Sequence, residues 1–131
     1  MGDALLIAVS GLNAASLRLS TAANNIANAN DTGELQPAPG QSQPFQPQQV
    51  AQEAAPGGGT IATDVPVTPA SNPSPDPNSP LANAQGLVAV PNVDTAQELV
   101  NTQVASFSYD ANLKVVETAS KMQGYLLNIF A

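Results

Sequence analysis

A chain of 131 residues with a formal net charge of −7 has room for one modest domain, and three bases, Arg18, Lys114 and Lys121, cannot neutralise the run of phosphates that nucleic-acid binding requires. The same shortage of cations argues against recruitment to anionic membranes, so no direct lipid binding is expected. Without cysteine there is no disulfide framework or thiolate metal site, and without histidine the commonest general base and metal ligand are both gone.

The apolar share of 43% is largely alanine, and the aromatics are few: Phe45, Phe107, Tyr109, Tyr125 and Phe130. An autonomous core needs large side chains. The ends of this chain are therefore expected to bury themselves against other copies or neighbours.

The first segment, residues 1–31, reads as one long helix. Leu5, Val9, Leu12, Ser16, Leu19, Ala23, Ile26 and Asn30 follow a 4-3 spacing, with the large residues on one row and small or polar ones on the other. Asp3 is the expected N-cap and Gly33 the expected stop. Asn24, Asn25, Asn28 and Asn30 are unusual, because asparagine amides compete for the backbone of a helix. They fit either a fraying end or interhelical amide bonding. No apolar run is expected to reach membrane-spanning length. A cleavable signal is not expected either, because a basic leader and an Ala-x-Ala-like site are both missing.

Residues 32–90 form a middle rich in proline and glycine. Prolines scattered through it forbid long helices, so it reads as mostly irregular. Gly57-Gly58-Gly59 reads as a flexible joint. Thr60–Thr68 alternates polar and apolar residues, and Gly86–Val90 is a second strand candidate. Together they leave room for a short β-ribbon.

The last segment, residues 91–131, opens on Asp94-Thr95-Ala96-Gln97, a capping box with Asp94 as N-cap and Gln97 three residues on. Pro91 keeps the helix from extending backwards. The apolar residues then repeat every eleven positions: Val93, Val104, Val115, Leu126; Ala96, Phe107, Thr118, Ile129; Val100, Ala111, Met122. Such a stripe drifts the opposite way from a heptad seam, which predicts a mismatch between the two helices. Asp110–Lys114 and Glu117–Lys121 are spaced as supporting ion pairs on the solvated face.

The fold class read from these features is mainly α. Long terminal helices pair as a coiled-coil-like hairpin, and the proline-rich middle is mostly irregular. The ten carboxylates form no pattern that divides acid and base roles, and no triad is possible without histidine. No catalytic, cofactor-binding or metal site is expected, and the chain reads as a non-enzyme.

Three stretches carry a resemblance. Ser10-Gly11-Leu12, Arg18 and Ala23–Asn30 with Thr32 form the first. Ala84–Asp94 forms the second. Glu98-Leu99-Val100-Asn101, Tyr109-Asp110-Ala111-Asn112, Lys114-Val115-Val116, Thr118-Ala119 and Met122 form the third. They resemble the terminal signatures of axial proteins of the bacterial flagellum, and the short length with Asp76-Pro77-Asn78-Ser79-Pro80 is similar to the proximal basal-body rod family. Two departures stand out. Phe107 occupies a position that is usually basic, and Pro44-Phe45-Gln46-Pro47 lacks the usual positive charges.

The resemblance implies a structural rod subunit that polymerises through its terminal helices and transmits torque. It implies other rod and basal-body proteins as partners, with self-association in a helical assembly. It also implies passage through the flagellar type III export apparatus without a cleavable signal peptide. The implied assembly interface takes in Leu5, Val9, Leu12, Leu19, Ile26, Asn24, Asn25 and Asn28. On the second helix it takes in Val100, Val104, Phe107, Tyr109, Ala111, Asn112, Val115 and Met122. The expected inner seam sets Leu5, Leu12, Leu19 and Ile26 against Val100, Val104, Phe107, Val115 and Met122. The alternatives are another axial or basal-body component, or a cytoplasmic coiled-coil adaptor or export chaperone.

Overall fold

Two long helices flank two antiparallel β-ribbons. The computed structural model describes residues 2–38, 40–41 and 43–130. Met1, Pro39, Ser42 and Ala131, and the side chains of Leu127, Ile129 and Phe130, lie outside that description. The Ile129 end of the second eleven-residue row therefore falls outside it too. In chain order the elements are α1 (Gly2–Ala27), β1 (Gln48–Ala54), β2 (Thr60–Pro66), β3 (Ser71–Pro75), β4 (Leu87–Pro91) and α2 (Thr95–Phe130).

α1 begins at Gly2, so Asp3 lies within its first turn and favours the positive end of the dipole without capping it. The helix ends at Ala27 in a turn closed by Asn28 N–H to the Asn24 carbonyl at 3.1 Å and Asp31 N–H to the Asn28 carbonyl at 3.0 Å. Gly33 is not its stop. It forms a β-bridge with Ala89, each amide donating to the other's carbonyl at 3.0 and 2.9 Å. By length and composition α1 is also apolar enough to cross a bilayer, contrary to the expectation from sequence. One of its faces is nevertheless committed to protein, as described below.

α2 starts as the capping signal requires: Asp94 Oδ1 accepts the amides of Ala96 and Gln97 at 3.0 and 3.1 Å. The Gln97 side chain does not reach back and instead donates to Asn101 Oδ1 at 3.3 Å, so only half of the box forms. At 36 residues the helix is roughly 54 Å long at ~1.5 Å per residue. Lys114 pairs with Glu117 at 2.8 Å rather than with Asp110, and Lys121 pairs with the same Glu117 at 2.7 Å.

The expected irregular middle is overturned. It holds four strands in two separate two-stranded sheets, β1 with β2 and β3 with β4. The two strand candidates do not pair with each other. Thr60–Pro66 pairs with Gln48–Ala54, from Gln48↔Pro66 to Ala54↔Thr60, and Leu87–Pro91 pairs with Ser71–Pro75, from Pro75↔Leu87 to Ser71↔Pro91.

The prolines survive in these strands because of where they fall in the ladder. Ala89 gives both backbone groups to Gly33, and Leu87 exchanges with Asn83, so the β3 residues opposite them are asked for no amide hydrogen. Those residues are Pro73 and Pro75. Pro91, two positions further along β4, shares the same parity. Pro66 repeats the device, since its partner Gln48 turns its backbone groups away toward Asn25. A proline costs a sheet one donor, and here no donor is missing.

The β1–β2 turn bonds Ala55 N–H to the Gly59 carbonyl at 3.1 Å. Gly59 is needed there twice over: its φ is +89°, and a Cβ would collide with the Ser10 hydroxyl of α1. The hairpin thus lies along α1 with its turn near Ser10. The buried hydrophobic residues are mostly small: Ala8, Ala14, Ala15, Ala22, Ala29, Val88, Ala89, Ala105 and Ala119.

Candidate functional site

The site is a pair of helix surfaces, one turned inward and one turned outward. The inward register is fixed at two points. The Gly11 backbone lies against the Asn112 side chain, and Asn25 Nδ2 donates to Glu98 Oε1 at 2.8 Å. Two heptads separate Gly11 from Asn25, and two separate Glu98 from Asn112, so the helices run antiparallel in a regular heptad register. Ala8, Ala15 and Ala22 line this side of α1, Ala29 continues the spacing in the turn that follows, and Ala105 and Ala119 line it on α2, all buried.

The expected inner seam of large residues is therefore not what pairs the helices. Leu5, Leu12 and Ile26 are only half-buried, and Val9 and Leu19 are exposed. On α2, Val100, Val104, Phe107, Tyr109, Ala111, Val115 and Met122 are all exposed, Phe107 to 64%. The described side chains of the eleven-residue rows on α2 face outward, while the spacing that α2 turns toward α1 is a heptad: Glu98, Ala105, Asn112, Ala119. The predicted mismatch between repeats does not arise, because the two repeats lie on different faces.

The asparagines divide by role. Asn25 is 1% exposed and is among the largest fully buried side chains. Its amide donates to the Gln48 carbonyl at 2.6 Å and its Oδ1 accepts the Gln48 amide at 3.1 Å, so it continues the β1 ladder onto α1. Glu98 completes the junction by accepting from Asn101 Nδ2 at 3.1 Å through its other oxygen. Asn24 is exposed and Asn28 is half-buried, and they bond each other locally, Asn28 Nδ2 to the Asn24 carbonyl at 2.9 Å. Asn112 donates to the Ser108 carbonyl at 2.8 Å and faces Gly11.

Two further ties hold the hairpin to α1. Ser10 Oγ accepts the Thr60 amide at 3.1 Å, and Thr21 Oγ1 donates to Asp64 Oδ1 at 2.6 Å. Sequence reasoning missed Ser10, Thr21, Asp64 and the alanine row. The signal for the row was present: alanine at every seventh position from Ala8 to Ala29, and Gly11, Arg18 and Asn25 at the same interval.

Outward, Leu99, Val100, Gln103, Val104 and Phe107 line an open groove of about 290 Å³ on α2. Tyr125 and Leu126 extend the exposed apolar surface toward the end of the helix. Among the described residues no group of three or more acidic or other ligating side chains is placed to hold a metal ion. The subunit is thus shaped with small residues inside the helix pair and large apolar ones outside it.

Comparison with known proteins gives that shape a class. Residues 5–33 match the family described as flagella basal body rod protein, and residues 84–129 match the flagellar basal body rod FlgEFG protein C-terminal family. Flagellar basal-body rod protein FlgC of Escherichia coli O6:H1 is 43% identical over 127 residues, covering 88% of this chain and 87% of that one. FlgC of Salmonella typhimurium is 42% identical over 124 residues, and FlgC of Yersinia enterocolitica is 40% identical over 123, with the same coverage. The chain belongs to the FlgC family of flagellar basal-body rod proteins. It is a structural rod subunit of the flagellar basal body.

Proposed function

We propose that this chain polymerises through the outward faces of its terminal helices as a proximal component of the rod, and that the packed helices carry torque. The observation that supports this reading is the division of side chains. Intrachain packing uses alanine, glycine and asparagine, and leaves Leu19, Val100, Val104, Phe107, Val115 and Met122 exposed. Burying one large apolar side chain is worth about 1.5–3 kcal/mol, so an exposed row of them favours association. Heterologous packing, one face against a different face of the next copy, gives open helical growth. The outer row of α1 and the eleven-residue rows of α2 are two such different faces.

In this reading Leu5, Val9, Leu12, Leu19 and Ile26 meet the exposed α2 residues of a neighbouring copy or another rod protein. Asn25 and Asn112 serve inside each subunit and shape the surface from beneath. The role is structural and involves no catalysis. Partners are other rod and basal-body proteins and the flagellar type III export apparatus.

The test is an immunoblot of purified hook–basal bodies, stripped of filament, beside cytosolic and membrane fractions. Co-purification with the basal body supports the reading. A strong cytosolic signal in motile cells, with none in the basal body, overturns it in favour of an adaptor or export chaperone.

A further inference from the structure

We infer that Arg18 is the cationic half of an ion pair between subunits, its partner an exposed carboxylate of a neighbouring copy of this chain; this rests on the self-association proposed above. The chain has only three bases. Lys114 and Lys121 are both engaged by Glu117, at 2.8 and 2.7 Å. Arg18 is half-buried, and among the described residues it makes no ion pair.

Its place in the fold is unusual for a cation. The heptad register sets it between Gly11 and Asn25 on the packed face of α1, level with the buried Ala105 of α2. A small residue there leaves room for the long side chain, and Arg18 lines two clefts of about 210 and 200 Å³, one on either side of it. The first is walled by Gln48 and Gln49 of β1 and by Glu98 and Asn101 of α2. Glu98 is the carboxylate within this wall, and both its oxygens already accept, from Asn25 and from Asn101. The acid that lines this cleft is therefore committed to holding the helices together.

A guanidinium presents five donors in a planar fork that matches a carboxylate. Withdrawn from water, it favours a partner of opposite charge. The cleft is of side-chain size, and its amide walls would bond a carboxylate's remaining lone pairs. Each copy also offers acids in excess: Asp3, Glu53 and Asp110 are exposed and form no ion pair among the described residues. A polymer of identical chains brings such an acid to every Arg18.

Arg18→Ala, Arg18→Lys and Arg18→Glu are introduced into the full chain, and the amount in purified hook–basal bodies is measured against the amount in whole cells. Arg18→Ala is expected to lower incorporation at least tenfold without lowering the cellular amount, and Arg18→Lys to recover part of it. Motile revertants of Arg18→Glu are expected to carry lysine or arginine at an exposed acid of this same chain. Wild-type incorporation of Arg18→Ala overturns the proposal. So do revertants confined to other proteins or to uncharged positions, and so does loss of both Arg18→Ala and Arg18→Lys from whole cells, which marks a role inside the subunit. Val104→Asp is run in parallel. If it blocks incorporation while Arg18→Ala does not, self-association stands and the ion pair falls; if neither blocks, self-association itself falls.

Discussion

Gly11 of α1 lies so close to Asn112 of α2 that a Cβ at position 11 would stand 2.6 Å from Asn112 Oδ1 and 2.7 Å from its Cγ. Glycine in a helix interior costs about 1 kcal/mol relative to alanine. The close approach of the helices is the compensation.

Gly11→Ala therefore sets two effects against each other. The propensity gain is about 1 kcal/mol, while overpacking costs about 1–3 kcal/mol. Asn112 can swing aside only by giving up its 2.8 Å bond to the Ser108 carbonyl. The expected outcome is a net loss of about 1 kcal/mol for the single variant. Gly11→Ala with Asn112→Ala removes the collision and should be at least as stable as the parent. Thermal melts of all four members of the cycle measure the coupling. Additive single effects would show that the two residues do not meet.

Asn25→Ala leaves the Gln48 amide and carbonyl without their partner at a part-buried junction. Each unsatisfied group costs about 1–3 kcal/mol, so a loss of about 2–4 kcal/mol is expected. Faster hydrogen exchange at the Gln48 amide should accompany it. Asn25→Asp should be worse at neutral pH, because its carboxylate would face the Gln48 carbonyl and Glu98, both acceptors. The gap between the two variants should narrow as pH falls into the carboxylate range.

What the sequence made legible was carried by strong local signals. Asp94 capped α2 as its side-chain chemistry requires, and the long apolar spacings marked both helices. The middle was misjudged because its strands are set by tertiary pairing. Gln48–Ala54 has one β-branched residue, and Ser71-Asn72-Pro73-Ser74-Pro75 reads as loop on propensity alone. Only the ladder positions of Pro73 and Pro75, opposite residues that bond elsewhere, let them lie in a strand. The packed seam was misjudged for a different reason. Periodicity weighs residues by hydrophobicity, and the seam is built from alanine, glycine and asparagine. The large residues that dominated the pattern belong to the outer surface.

Glu117 gives a pH signature. The hydrogen bond from Lys114, then the one from Lys121, and then the charges of both lysines hold its carboxyl down at about 2, against an ordinary 4.5. A lowered carboxyl pKa contributes stability that is present above the unfolded value and lost as pH falls through the folded one. The Glu117 contribution should therefore fade between about pH 4.5 and about pH 2. The group is fully exposed, so the effect is small and screened. Glu117→Gln should lower the helical circular dichroism signal slightly at neutral pH and low salt. The difference from the parent should vanish near pH 2, and also at about 1 M salt. A difference that persists under both conditions would refute the assignment.

Val104 separates the inner seam from the outer face. It is 46% exposed, lies in an eleven-residue row and lines the apolar groove on α2. Val104→Asp adds a charge where the isolated subunit already meets water, so its effect on the subunit's own stability should stay within about 0.5 kcal/mol. Against a neighbour the same carboxylate must be desolvated, at a cost of several kcal/mol unless it is paired. Ala105, the next residue, is 1% exposed, and Ala105→Asp should instead break the helix pair itself. The two variants should fail differently. Val104→Asp should accumulate normally and be missing from basal bodies, with swimming abolished, whereas Ala105→Asp should also lose cellular amount to proteolysis. Normal swimming with Val104→Asp would mean that the outward face of α2 takes no part in assembly.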